Sequence, residues 1–500
     1  MWLRTAVPRM KPRPIVTRTV RKRFVLRTLG VLFLLFSTTI VPPLVLSIVM
    51  ADGHSIDFAV TLIAALLTGL VLWFPTRNKE ARIRTRDGFL IVGLMWCGMS
   101  LLGVIPFMTS LDMSFVDSLF ESASGFTTTG STVIVGLDDL PRSILLYRQE
   151  IQWLGGIGVI VVAIALLPML RIGGMQLYAA ETPGPLKDDR ITPRIAKTAK
   201  NVFIIYVALT AICALAYWFA GMNTFDAVAH SLTTLSTGGY STHDASFAYF
   251  DSDAINAVAV VFMLIGGISF SVHFLVWRQL GPGFYLRDSQ TRAFVSIVLV
   301  ATAVVAVQLA ATGTAESPLK ALEIGAFEVA AVITSTGYGV ADFAAWPLDL
   351  PVLLIFLSFI GGCAGSSAGG IKVIRFLILG KQARSHVRRL IHPRSMNPIR
   401  VDHRVVDAAV IEGIWGFFMV YIAIFATFML ILTFDGMDQV TAFGAVATCL
   451  NNLGPGLGDV SQNFTSVSDG GKLLLVLAML FGRLEIFTIL VLMTPGFWRS

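Results

Sequence analysis

The sequence runs to 500 residues, 55% of them apolar and only 14% charged, with a net charge of +7. Soluble globular chains carry about a quarter charged residues, so there is too little polar surface here to cover a water-soluble body. Soluble enzymes and binding modules are thereby excluded, and the bilayer becomes the solvent against which the chain is read.

The basic N-terminus leads into an apolar run from Phe24 to Met50. That is far longer than the ~7–15 apolar residues of a signal peptide, so a retained first span is expected. A span needs about 20 apolar residues. Further candidates follow at 58–75, 88–108, 151–170, 201–221, 254–277, 293–313, 407–433 and 473–494. A tenth, 350–380, is interrupted by Gly361-Gly362-Cys363-Ala364-Gly365-Ser366-Ser367-Ala368-Gly369-Gly370, through which no helix propagates comfortably. Non-helical backbone at membrane depth survives only inside protein or beside a wet cavity, so this interruption is itself a functional candidate. Cys97, Cys213, Cys363 and Cys449 fit neither a metal site nor a disulfide framework and read as small apolar fillers.

Lys and Arg number 33 in one set of connections (1–27, 76–87, 171–200, 278–292, 372–404 and the tail) and 3 in the other (109–149, 222–253, 313–350, 434–470). This asymmetry places both termini in the cytoplasm, a parity that ten spans satisfy. The basic stretches read as topology signals and membrane-lipid contacts, not as a nucleic-acid interface. The second set carries 18 Asp and Glu, which makes the outer face acidic.

The outer loops repeat. Aligned on Gly130, Gly239, Gly337 and Gly454, each holds a semi-apolar stretch that begins 13 residues earlier, at Asp117, Asp226, Ile324 and Thr441. Asp117, Asp226 and Thr441 suit the start of a short helix, and Ile324 does not. A second landmark, Gly155-Gly156, Gly266-Gly267, Gly361-Gly362 and Gly482-Arg483, follows each glycine by 25, 27, 24 and 28 residues. The predicted architecture is all-α: about ten transmembrane helices and four re-entrant pore helices in a pseudo-four-fold arrangement. The chain divides into 1–80 (basic N-terminus and two extra spans) and four pore repeats at 81–185, 186–285, 286–400 and 401–500. Glycine turns can point successive carbonyls inward, and rings of such carbonyls replace a cation's hydration shell. The short helices would aim their negative ends at the same axis.

SGFTTTGSTV (124–133), STGGYSTHDAS (236–246), ITSTGYG (333–339), NNLGPG (451–456) and GGCAGSSAGGIKVIR (361–375) resemble the Trk/Ktr/HKT superfamily of potassium transporters over essentially the whole chain. The extra N-terminal spans favour its bacterial TrkH/TrkG branch. The resemblance implies a selectivity filter of four strands: Thr128, Thr129, Gly130 and Ser131; Thr237, Gly238, Gly239 and Tyr240; Ser335, Thr336, Gly337 and Tyr338; Asn452, Leu453, Gly454 and Pro455. Gly239 is preferred to Gly238 because it keeps the 13-residue register. Glycine at all four key positions resembles the potassium-selective members. A gating loop maps onto Gly362–Gly370, including Gly365, Ser366, Ser367 and Gly369, with Lys372 beside it and Arg483 as its basic partner. The resemblance also implies the bacterial inner membrane, a homodimer, and a TrkA-like cytoplasmic subunit that supplies any nucleotide dependence. That subunit would dock on the basic 171–200 and 372–404 loops.

Other readings share parts of the pattern. A proton-coupled symporter would use the same filter, and re-entrant glycine turns also serve permeases with other substrates. Gly155-Gly156-Ile157-Gly158 reads as close helix packing. Asp226, His230, His243 and Asp244 read as capping and solvated loop residues before a metal cluster, and Asp407 and Glu412 as interfacial. No zinc-protease motif or phosphate-binding loop is present, so no enzymatic activity is expected.

Overall fold

A computed structural model describes residues 22–76, 85–161 and 191–498, apart from 348, 396 and 403. The basic segments 1–21, 77–84 and most of 171–200 therefore lie outside the described residues, as does the second half of the expected 151–170 span. The chain is helical almost throughout. Among the described residues the strand pairing is a short hairpin in which Arg400 pairs with Val405 and Val401 with Arg404, antiparallel.

Among the described residues, six helical stretches are long and apolar enough to cross a membrane: Lys22–Met50, Ser55–Thr76, Arg86–Ser110, Ala199–Phe219, Ser289–Ala311 and Ala408–Phe434. Their outward faces stay apolar, with Leu299, Val307, Met419 and Ile422 exposed, as a lipid-facing surface requires. The two N-terminal spans cross closely through small residues. A Cβ added at Gly30 would lie 2.8 Å from the Gly69 carbonyl oxygen.

Two expected spans are not continuous. The 254–277 segment divides into Asp253–Gly267 and Phe270–Gln279, which meet at 98°, and 473–494 into Asp469–Arg483 and Ile486–Met493, at 112°. The physical cause of the first bend is that the Gly266 and Gly267 carbonyls, which a continuing helix would use, instead accept from Ser367 N–H at 3.3 Å and Cys363 N–H at 2.9 Å. At the second, Glu485 adopts φ +55° and its carboxylate pairs with Arg375. The interrupted segment breaks as expected, into Leu350–Ile360 and Val373–Ile391. Each of these three breaks falls within a few residues of the second glycine landmark.

Packing is apolar at the flanks and polar at the centre. Buried clusters of Leu, Phe and Val lie between neighbouring helices. They enclose a belt of buried hydroxyl residues, among them Thr127, Thr128, Thr129, Thr233, Thr234, Thr334, Ser335 and Thr336.

Candidate functional site

Four short helices, Phe115–Phe126, Thr224–Ser236, Pro318–Ile333 and Gln439–Asn451, carry the glycine turns. The first, second and fourth begin under one turn before the start read from the sequence, and the third nearly two turns before it. The caps are Ser114, Asn223, Ser317 and Asp438, whose side chains accept from Asp117, Asp226, Lys320 and Thr441 N–H at 3.1, 2.9, 3.2 and 3.1 Å. Ile324 thus lies inside the third helix, which is as well capped as the others.

All four helices end in one way. The residues Thr128, Thr237, Ser335 and Asn452 take left-handed conformations with φ of 51°, 52°, 54° and 53°. The N–H of the next residue returns to a carbonyl five positions back: Thr129 to Ser124, Gly238 to Thr233, Thr336 to Ala331 and Leu453 to Thr448, all at 2.8–2.9 Å. This is a Schellman closure built without glycine.

The aligned glycines come next, with φ of +85°, +81°, +75° and +108° at Gly130, Gly239, Gly337 and Gly454. Gly238 is not in that region, so Gly239 is the true counterpart. A Cβ at Gly130 would lie 2.4 Å from Gly238 O, one at Gly239 1.7 Å from Thr336 O, one at Gly337 2.0 Å from Leu453 O, and one at Gly454 3.1 Å from Thr129 O. Each glycine faces the carbonyl just before the aligned glycine of the following turn, and the fourth faces the first, so the contacts close a ring. All four glycines line one cavity of about 290 Å³.

The supports behind the turns were missed in the sequence. Nine residues before the glycine stand Glu121, His230 and Glu328, all fully buried. Glu121 accepts from Val133 N–H at 3.1 Å, and Glu328 from Val340 N–H at 2.9 Å, the same offset beyond each glycine. His230 plays the corresponding part through Ser241 Oγ at 3.0 Å. Arg148 donates to Glu121 at 2.8 Å and lies over the Tyr240 ring at 4.2 Å. Tyrosines then lace one turn to the previous helix: Tyr240 OH donates to Glu121 O at 2.9 Å and Tyr338 OH to His230 O at 3.3 Å. Pro455 has no such hydroxyl, while Ser131 bonds Gly454 O at 2.9 Å. The signal was present in the aligned windows, where an acid or a histidine recurs at one column.

The interrupted segment lies against these turns. Ser367 Oγ donates to Leu235 O at 2.9 Å, and Phe270 N–H to Gly365 O at 3.0 Å. Arg483 ends its helix instead of sitting mid-span, and donates to Ser367 O at 2.8 Å and Gly155 O at 3.5 Å. Lys372, at φ +83°, donates to Ala368 O. Gly365, Ser366, Gly369, Lys372, Arg483 and Asn452 share a cavity of about 40 Å³, room for about three waters. Gly362 packs on Gly267 O, and Gly370 takes φ +72°.

Gly155 serves packing, since a Cβ there would sit 2.0 Å from Phe126 O. His243 bridges Asp226 at 3.2 Å and Asp138, and stacks on Tyr249 with ring centres 3.4 Å apart. Burial alone lowers the His243 pKa, but its bonds to Asp226 and Asp138 outweigh this and hold it above the ordinary imidazole value. The same hydrogen bond holds Asp138 below the usual carboxylate range. Asp244 accepts from Gly136 N–H at 3.1 Å, and Asp407 and Glu412 are exposed. Cys213, Cys363 and Cys449 are buried, whereas Cys97 is exposed and is no core filler.

The family described as TrkH, cation transport protein, matches residues 54–499. The chain is 48% identical over 482 residues to the Trk system potassium uptake protein TrkH of Vibrio parahaemolyticus, covering 96% of this chain and 99% of that one. It is 46% identical over 480 residues to the Escherichia coli K12 protein of the same name, covering 96% and 99%. Against the TrkG protein of that strain it is 38% identical over 485 residues, covering 96% and 100%. The crystal structure of the potassium transporter TrkH from Vibrio parahaemolyticus superposes with a TM-score of 0.89 at 45% identity, covering 96% of this chain and 100% of that one. By sequence over nearly its full length and by fold, the chain belongs to the TrkH family of cation transport proteins.

Proposed function

We propose that this multi-pass membrane protein takes up potassium through a filter formed by its four glycine turns, arranged as pseudo-four-fold repeats over 81–185, 186–285, 286–400 and 401–500. The single observation that carries this reading is the closed ring of glycine-to-carbonyl contacts. Extended chain turns successive carbonyls to opposite faces; a positive φ at every second residue turns them to one side. Residues 128–131, 237–240, 335–338 and 452–455 then offer stacked oxygen rings in place of an ion's water. The helix ends beside them favour a cation by ~0.3–1 kcal/mol each. Relatives of this chain carry the name Trk system potassium uptake protein.

The segment Gly362–Gly370, with Lys372 and Arg483, acts as the gate. Lys372 and Arg483, with Glu485 already paired to Arg375, line a chamber too small for a hydrated ion, and the unpaired positive excess gives a closed state an electrostatic barrier beside the steric one. An inside-negative potential supplies about 2.3 kcal/mol per charge per 100 mV. The protein sits in the bacterial inner membrane with both termini cytoplasmic, works as a homodimer, and answers to a TrkA-like subunit through which alone nucleotide acts.

The test is uptake of radioactive rubidium into proteoliposomes under an inside-negative potential, with competing K⁺, Na⁺ or Li⁺. Block by K⁺ but not Na⁺, weakened in Gly337→Ser, is the expected outcome. A serine there meets both the Leu453 carbonyl and a φ of +75°. Absence of cation-dependent uptake with a cytoplasmic partner supplied would falsify the filter, and protons moving with potassium would replace a channel-like path by a coupled one.

A further inference from the structure

The interrupted segment is bonded to the turns as well as lying against them. Gly369 N–H donates to Ser335 Oγ, and Gly370 N–H donates to the Asn451 carbonyl at 3.0 Å. A Cβ on Gly369 would lie 2.1 Å from that same carbonyl oxygen. Ser335 is the left-handed residue of the third turn, and Asn451 is the last residue of the fourth short helix. The loop therefore holds the two strands at their roots.

Asn451 is wholly buried, and its side chain is held from two further elements. Its Oδ1 accepts from Tyr421 OH at 2.6 Å, from the helix Ala408–Phe434. Its Nδ2 donates to Ser358 Oγ at 2.8 Å, on the helix that runs into the loop. The next residue, Asn452, lines the chamber and donates to Thr129 Oγ1 at 2.9 Å, so the fourth turn passes its position on to the first. Movement of the loop takes donors away from the Ser335 hydroxyl and the Asn451 carbonyl together, and buried acceptors left unmatched are repositioned or wetted.

We propose that Asn451 is a positioning residue through which the loop and the third and fourth turns share one geometry, so that opening the loop weakens discrimination between potassium and sodium. This rests on the reading of the turns as a filter and the segment as a gate. Linkage makes the effect reciprocal: potassium held in the filter favours the closed loop.

The test uses the full-length protein in liposomes, with flux and the K⁺/Na⁺ permeability ratio from reversal potentials. The variants are Arg483→Ala, Tyr421→Phe and the two combined, with Asn451→Ala as a stronger uncoupler. Arg483→Ala is expected to raise flux and lower the ratio about fivefold or more. In the Tyr421→Phe background the flux still rises but the ratio moves less, with a cooperative melting transition showing an intact fold. A ratio unaffected by Arg483→Ala while flux rises overturns the coupling, and an equal drop in both backgrounds removes Asn451 from it. No rise in flux removes gate and coupling together. A wild-type protein without preference for K⁺ fails the filter itself, a different and separable result.

Discussion

Arg148 and Glu121 form an ion pair with side chains only 1% and 0% exposed, directly behind the first turn. Removing one partner strands the other charge, a loss of about 3–5 kcal/mol. Arg148→Met is therefore expected to lower the thermal stability of the purified protein sharply, and Glu121→Gln in the same chain to recover part of it. The His243 clasp gives a pH dependence with a definite sign. A raised imidazole pKa contributes stability that is complete below the ordinary value and lost as pH rises through the raised one. A lowered carboxylate pKa contributes stability above its ordinary value that is lost as pH falls through the lowered one. The clasp between His243 and Asp138 is thus whole between about 3.8 and about 6.5 and loosens on the alkaline side. Hydrogen exchange across 136–139 and 243–250 is expected to quicken as external pH rises, and His243→Gln to flatten that profile. Glu121, His230 and Glu328 were visible in one column of the sequence repeat, yet their role was not. A carboxylate that ties down backbone N–H groups leaves no periodicity of its own.

The four short helices share caps at both ends, and each N-cap is worth about 1 kcal/mol. Ser317→Ala should accordingly lower the melting temperature by an amount similar to Ser114→Ala, which checks that the third helix is as well founded as the first. The sequence placed three of these caps three residues late because Asp117, Asp226 and Thr441 are themselves cap-like residues standing at the third helical position, and the third cap, Ser317, lies seven residues before Ile324. The bends at 98° and 112° were not legible either, since hydropathy reports which residues shun water and says nothing of direction. What redirects those helices is remote in sequence: backbone donors from 363–367 at one bend and Arg375 at the other. The glycine register, by contrast, was fully legible. A backbone that must hold φ near +80° admits few residues besides glycine, so the requirement is written into composition.

At the scale of the molecule, the corners of the ring are not alike. Tyr240 and Tyr338 tie the second and third turns to the helices before them, Pro455 offers the fourth no hydroxyl, and Ser131 bonds the fourth turn from the first. Tyr338→Phe, which removes a hydroxyl that also meets Thr233 Oγ1 and Thr234 Oγ1, is expected to lower potassium-over-sodium discrimination by at least roughly two- to tenfold, the worth of one net hydrogen bond, in the competition assay with rubidium. Ten spans were counted from the sequence; six continuous ones and two bent pairs qualify among the described residues, the short Leu350–Ile360 helix being a further apolar piece. The broken segment at 361–370 was found because glycine density is a compositional signal, while its attachment to Asn451 depends on a contact between residues 81 apart that no local pattern encodes. The closed contacts among Gly130, Gly239, Gly337 and Gly454 carry one more consequence. A pore assembled from four copies of one subunit is altered at four places by every substitution, an all-or-nothing step. In the filter proposed above, each turn is separately encoded in a single chain, so permeation would be adjusted in quarter steps, and a tolerated change in one turn would open the way to the next.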